Sequence, residues 1–284
     1  MFKASFYISL FVMLFSTLSF QWPVKKSFLT STFGESRADH FHDGVDLISQ
    51  DKNIYSVEFG KVLYEWNRFY FPQENYWGGG NYKIIKHKNN IVSVYMHMKD
   101  GMFRKKEYNA DDVVGQIGNT GHSFGAHLHF SLLDLDKRIS LNPMLYLPKY
   151  SDKESPKVLS YALKINNEYT YLRNESNIRL TKHYPLLIDV KDSVTKRERL
   201  GVYKLIVKAN GKEVFSEVYD KLQYSKSGLI NNSKIFSRHF DEKGYYRIEN
   251  IRYKNGINII DVTAYDFNGN STHDTFKVNV TLDL

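Results

Sequence analysis

Two histidines stand two residues apart in the stretch Gly121-His122-Ser123-Phe124-Gly125-Ala126-His127-Leu128-His129-Phe130. Side chains alternate along an extended strand, so His127 and His129 share one face while Leu128 and Phe130 point into a core. One histidine on a strand is ordinarily a satisfied core residue; two side by side on a polar face suit metal ligation or proton transfer. The segment His42-Asp43-Gly44-Val45-Asp46 adds an imidazole and a carboxylate four residues apart across a glycine, with Val45 and Leu47 turned inward. His42, Asp46 and one of the two strand histidines make three nitrogen and oxygen donors. A catalytic zinc ion commonly takes that number from protein, keeping one position for water. A third strand, Val92-Ser93-Val94-Tyr95-Met96-His97-Met98, puts Val94, Met96 and Met98 on one face. Ser93, Tyr95 and His97 fall on the other, so alternation gives His97 a polar face as well.

These blocks carry a family resemblance. His42-x-Gly44-x-Asp46, then Tyr95-x-His97, then Gly118-x-Thr120-Gly121-x-Ser123-x-Gly125-x-His127-Leu128-His129-Phe130 resemble the motifs of the lysostaphin-like (LytM-type) zinc metallopeptidases, which cut peptide bonds in bacterial peptidoglycan. The resemblance covers roughly residues 30 to 150. It implies that His42, Asp46 and His129 hold one zinc ion, that His97 and His127 are unligated catalytic histidines, and that the substrate is a peptidoglycan peptide. All five positions are filled, whereas some relatives in the family have lost ligands and act only as activators of other hydrolases. His40, two residues before His42, is left exposed or behind the ligands. Ser131 stands where the family usually carries an acidic residue, a departure that bears on a contact behind the metal rather than on the metal itself. No His-Glu-x-x-His motif is present, so proton handling falls to histidine. His127 or His97 is expected to take the proton of an attacking zinc-bound water, and the pair to stabilise the oxyanion and protonate the leaving amine.

The elements that must position these groups read as short strands and turns. Leu29-Thr30-Ser31-Thr32-Phe33-Gly34 resembles the family's Ser-x-Phe-Gly segment, and Arg37 after it reads as a solvated surface residue. Ile54-Tyr55-Ser56-Val57 and Gly60-Lys61-Val62-Leu63-Tyr64 read as successive strands. Residues 82–87 and 91–98 form a hairpin around Lys88-Asn89-Asn90, which leaves His87 exposed at the turn. The aromatic, glycine-rich stretch 66–80 either packs over the sheet or lines a substrate groove. Asp111 and Asp112 read as solvated turn residues. Gly118, Gly121 and Gly125 are expected to take positive backbone dihedrals beside the substrate.

A chain of 284 residues has room for two domains. Its net charge of +8 comes from scattered Lys and Arg and accompanies no nucleic-acid motif, so nucleic acid is not the expected partner. A diffuse positive surface on an exported protein favours anionic envelope polymers or a membrane surface. With no cysteine there is no disulfide framework and no lipid-modified cysteine. Residues 1–20 carry Lys3 and then an apolar run, read as a signal peptide or an N-terminal membrane anchor, which implies export to the periplasm, cell envelope or extracellular space. Residues 21–150 are then the peptidase, closing at Asn142-Pro143 and followed by the polar linker 149–156. Residues 151–284 show alternating segments separated by Asn210-Gly211, Lys243-Gly244 and Asn255-Gly256, the pattern of an antiparallel β-sandwich. The stretch 262–270 resembles the terminal hairpin of immunoglobulin-like modules in bacterial surface proteins. Such a module docks on the peptidase, occludes its groove, or binds wall or protein partners. The expectation is therefore an all-β, mainly antiparallel chain and an exported zinc endopeptidase. The alternative is a non-hydrolytic envelope protein that binds cell wall or regulates another wall hydrolase.

Overall fold

The computed structural model describes residues 20–101, 104–195 and 199–283; the stretch expected to be a signal peptide or anchor lies outside them except for Phe20. The chain is all-β, as its alternating patterns require, with helical turns among the described residues limited to Lys88–Asn90, Pro143–Leu145 and Phe236–Arg238.

The first half is built on a sheet whose strands lie in the spatial order Ile139–Leu141, Leu128–Asp134, Ile91–Met98, Asn81–Lys86, Gly60–Trp66. Val45–Ile48 pairs antiparallel with the opening residues of Leu128–Asp134, and Phe28–Ser31 pairs with Val45–Ile48 in turn. The inward positions Val45, Leu47, Leu128, Phe130, Leu132, Ile85 and Tyr95 are buried together in one core. Burial of this kind supplies roughly 1.5–3 kcal/mol for each large apolar side chain, enough to hold the register that brings distant polar groups together. The 82–98 hairpin forms as expected. Asn53–Tyr55 does not pair with Gly60–Trp66; it forms a separate ribbon with Val113–Gln116.

The second half is a two-layer sandwich. One sheet runs Glu168–Leu172, Lys157–Ile165, Leu186–Lys191, Tyr246–Ile248; the other runs Ser176–Leu180, Ser271–Leu282, Gly256–Tyr265, Lys204–Ala209, Lys212–Val218. All pairings are antiparallel except that of Ser176–Leu180 with Ser271–Leu282. Leu163, Ile188, Leu205, Val207, Ile260 and Val262 meet between the sheets.

The two halves interlock. Lys221–Ser225 leaves the sandwich to pair with Ile139–Leu141, and Gly228–Asn231 and Lys234–Ile235 extend the first half's sheet further. In the other direction Phe33 and Phe41, which flank the His42 segment, are fully buried in the second half's core. There Phe41 packs edge-on against Phe236, His239 and Phe240. Leu200 returns the exchange by sitting in the core of the first half.

Candidate metal centre

The strand register places Asp46 directly opposite His129. Residues paired this way project from the same face, so one pair of strands supplies two polar groups to one point. His42, on the turn leading into Val45–Ile48, brings the third. His42 Nε2 lies 2.9 Å from His129 Nδ1 and 3.1 Å from Asp46 Oδ1, and His129 Nδ1 lies 3.0 Å from Asp46 Oδ1. All three side chains are buried. Gly44 makes the convergence possible, because a Cβ there would sit 2.5 Å from the Phe130 carbonyl oxygen and 2.8 Å from His129 Nε2.

The outer nitrogens define what the inner ones can do. His42 Nδ1 is 2.8 Å from the Thr32 carbonyl oxygen, to which it can only donate, so its Nε2 presents a lone pair. His129 Nε2 is 2.9 Å from Ser131 Oγ and 3.4 Å from Asp43 Oδ1, which assigns the proton there and leaves Nδ1 as an acceptor. Three acceptor atoms about 3 Å apart are turned on one another, an arrangement that needs a proton or a cation between them. The pull on a proton is evident: although burial opposes it, Asp43 and Asp46 hold the His129 imidazole up to about 9. Burial likewise opposes charge on Asp46, yet His42 and His129 hold its carboxyl well below the usual carboxylate range. Donors of two imidazoles and one carboxylate at this spacing fit a tetrahedral zinc site with an open position. His42, Asp46 and His129 thus form a group that could bind a metal.

His97 and His127 stand beside this group. Their ring centroids are 4.8 Å apart, and His127 Nε2 is 3.7 Å from Asp46 Oδ1. His97 Nδ1 donates to the Thr120 carbonyl oxygen at 2.8 Å, and His127 Nδ1 to that of Gly125 at 2.7 Å. Each ring therefore has its Nε2 lone pair free. Burial, with His127 and His129 close by, pushes His97 down to about 4, which keeps that ring neutral at neutral pH. Both histidines line a cleft of about 700 Å³ with the metal group at its floor, walled by Ile48, Gly79, Met96 and His122, with Phe124 fully exposed at its rim.

Several expectations are corrected here. Tyr95 does not lie on a polar face; it is fully buried against Phe130. Strict alternation would bury His97 beside it, but the strand bulges opposite Asn81–Lys86 and His97 takes a left-handed φ of 60°, which turns the ring into the cleft. Arg37 is not a solvated surface residue: its Nη2 lies 2.5 Å from Asp46 Oδ2 and its Nη1 3.5 Å from Glu35 Oε1. His87 is not exposed but buried, its Nδ1–H donating to the Phe59 carbonyl oxygen (2.9 Å) and its Nε2 lying 2.8 Å from Ser93 Oγ. Of the three motif glycines only Gly121 has positive φ (74°); Gly118 is required instead by close backbone approach to Lys99, and Gly125 has open space around it. The stretch 66–80 is divided between a local aromatic cluster and the wall of the cleft. Trp66 stacks on Phe71 in a local cluster, while Gly78 and Gly79 line the cleft. His40 is exposed and paired with Asp39. Arg37, Glu35 and Asp43 had no signal of a site role beyond their proximity to His42 in sequence.

Comparison with known proteins places part of the chain in a peptidase family. The model of Peptidase family M23 matches residues 40–143, and a second family model, which carries no description, matches residues 156–281. The chain is 32% identical over 102 residues to lipoprotein NlpD of Yersinia enterocolitica, covering 36% of this chain and 95% of that protein. It is 31% identical over 133 residues to the murein hydrolase activator NlpD of Escherichia coli (strain K12), covering 46% of this chain and 32% of that one. It is 29% identical over 94 residues to peptidoglycan DD-endopeptidase ShyA of Vibrio cholerae serotype O1, covering 32% of this chain and 20% of that one. The chain belongs to peptidase family M23. It spans about a third of the length of the E. coli relative it matches.

Proposed function

We propose that the chain is an exported zinc metalloendopeptidase that hydrolyses peptide bonds in peptidoglycan, with residues 21–150 as the peptidase and 151–284 as an immunoglobulin-like sandwich. The observation that carries this reading is the convergence of three acceptor atoms at one point, with two further histidines facing it through free Nε2 atoms. In this reading His42 Nε2, Asp46 Oδ1 and His129 Nδ1 are the zinc ligands. Zinc held there supplies Lewis acidity toward a water and a peptide carbonyl.

The remaining work belongs to side chains of this chain. His127, nearer to Asp46 and to the open cleft, accepts a proton at Nε2, and its Nδ1–H on the Gly125 carbonyl keeps the ring aimed. His97, neutral and anchored on Thr120, lies 4.8 Å from it ring to ring, placed to share the proton passed to the leaving amine. Met96 and the backbone of Gly79 and Gly125 shape the cleft that receives an extended peptide. The strand order of the second half supports the immunoglobulin-like reading: two sheets, with the last strand shared between a hairpin partner and one parallel neighbour. Export to the cell envelope is consistent with the apolar run in residues 1–20 and with relatives named as lipoproteins and murein hydrolase activators.

Similarity to NlpD, named as an activator, supports the second reading, a non-hydrolytic regulator of another wall hydrolase. The test is incubation of the zinc-loaded chain with purified peptidoglycan, followed by mass spectrometry of released fragments and assay of new amino groups. The peptidase reading expects new peptide termini that disappear in His127→Ala. Release of no amino groups by the chain alone, together with stimulation of a separate wall hydrolase, supports the regulator instead.

A further inference from the structure

We propose that the second half of the chain is a working part of the metal site: the backbone of Gly201 positions two of the three metal donors, His42 and Asp46, through Thr32 and Glu35. This inference rests on the metal reading of the site.

Two chains of contacts start from Gly201. Its N–H is 2.9 Å from Thr32 Oγ1 and 3.0 Å from Glu35 Oε2, and its carbonyl oxygen is 3.2 Å from Thr32 Oγ1. Thr32 and Glu35 are tied to each other, the Thr32 N–H and hydroxyl both reaching Glu35 Oε2 at 3.0 Å. From Thr32 the first chain continues through its carbonyl oxygen to His42 Nδ1 at 2.8 Å. From Glu35 the second continues through Oε1 to Arg37 Nη1 at 3.5 Å, and from Arg37 Nη2 to Asp46 Oδ2 at 2.5 Å. The backbone runs alongside: His42 N–H donates to the Glu35 carbonyl at 2.9 Å, and Gly34 N–H to the His42 carbonyl at 2.7 Å.

The partner of the outer ring nitrogen sets a ligating histidine's tautomer and orientation, and an arginine on one carboxylate oxygen decides which oxygen faces the metal. Both controls lead to one residue of the second half. Only glycine fits there, since a Cβ on Gly201 would lie 2.7 Å from Glu35 Cβ and 3.1 Å from Thr32 Oγ1. The surrounding interlock prevents the segment from swinging free, with Leu200 in the core of the first half and Phe33 and Phe41 in that of the second. Coupling of this kind is reciprocal, so zinc at the site also tightens the junction between the halves.

The test uses the full chain in three forms: wild type, Glu35→Gln, which adds no heavy atoms, and Gly201→Ala. Zinc affinity is read by competition with a chromophoric chelator, and the ring tautomer of His42 by imidazole 15N resonances in the metal-free chain. Both variants are expected to bind zinc about 10- to 100-fold more weakly than wild type, with the Nδ1–H signal of His42 shifted and the thermal transition of the sandwich retained. If Gly201→Ala does not fold, Glu35→Gln decides. Zinc affinity within twofold of wild type in the folded variants overturns the proposal. A wild-type chain that takes no zinc defeats the metal reading instead; the His42 tautomer then decides the positioning role, and an unchanged signal in the folded variants overturns it.

Discussion

Asp46 and His129 face each other across neighbouring antiparallel strands, with Oδ1 and Nδ1 3.0 Å apart. Because the side-chain period of a strand is two, a one-residue slip in this pairing turns both groups to the wrong face. Val45 and Leu47 on one strand and Leu128 and Phe130 on the other hold the register from beneath, so the hydrophobic core and the metal group are two faces of the same pairing.

His97 and His127 touch none of the three converging donor atoms closely enough to replace one. Replacement of either by alanine is expected to leave zinc binding within a few-fold of wild type and to lower turnover by roughly 10²- to 10⁴-fold, with a smaller effect on KM. Zinc stoichiometry and peptidoglycan hydrolysis measured on the same preparations check this. Loss of metal in His127→Ala would move that residue from proton transfer to ligation.

Gly44 lies under His129 in a space with no room for a methyl group. Gly44→Ala brings a Cβ against Phe130 O, Ser131 Oγ and His129 Nε2. The expected result is a loss of about 1–3 kcal/mol in unfolding free energy, together with weakened zinc binding, because relief comes by displacing the His129 ring. Denaturant unfolding and a zinc titration of the variant read the two effects separately.

Much of this site is legible in the sequence because it is built on alternation. The pair His127 and His129, the inward Leu128 and Phe130, and the convergence of His42 with Asp46 follow from period two and short spacing. His97 does not, because its place in the cleft depends on a left-handed residue and a bulge, which alternation cannot express. Arg37 and Glu35 read as ordinary surface charges until the fold carries Asp46 and Gly201 to them. Ser131 replaces the family's usual acidic residue, yet its hydroxyl still meets His129 Nε2, and Asp43 approaches the same nitrogen from the turn before Val45–Ile48. The ribbon Lys221–Ser225 and Gly228–Asn231 joins a sheet whose other strands end some eighty residues earlier, a long-range pairing that no local pattern announces.

His239 ties the junction to pH. It is fully buried against Phe41, and burial pushes its imidazole down to about 4. An unfolded chain takes up a proton on this ring below its ordinary value of 6.5, whereas the folded chain does so only near 4, so unfolding gains a proton between the two. Stability is therefore intact above pH 6.5 and falls as pH drops toward 4, by about 3 kcal/mol from this residue. Buried His87, shifted in the same direction, adds to the slope. Urea midpoints across this pH range are expected to fall less steeply in His239→Gln than in wild type; equal slopes would count against the assignment.

The most direct measurement is the zinc content of the purified full chain after dialysis against metal-free buffer, set beside that of Asp46→Ala. The account predicts one zinc ion per wild-type chain and essentially none in the variant, with the β-structure of both intact by circular dichroism. A wild-type chain that retains no zinc and binds none on titration, or an Asp46→Ala chain that holds zinc as tightly as wild type, would contradict it.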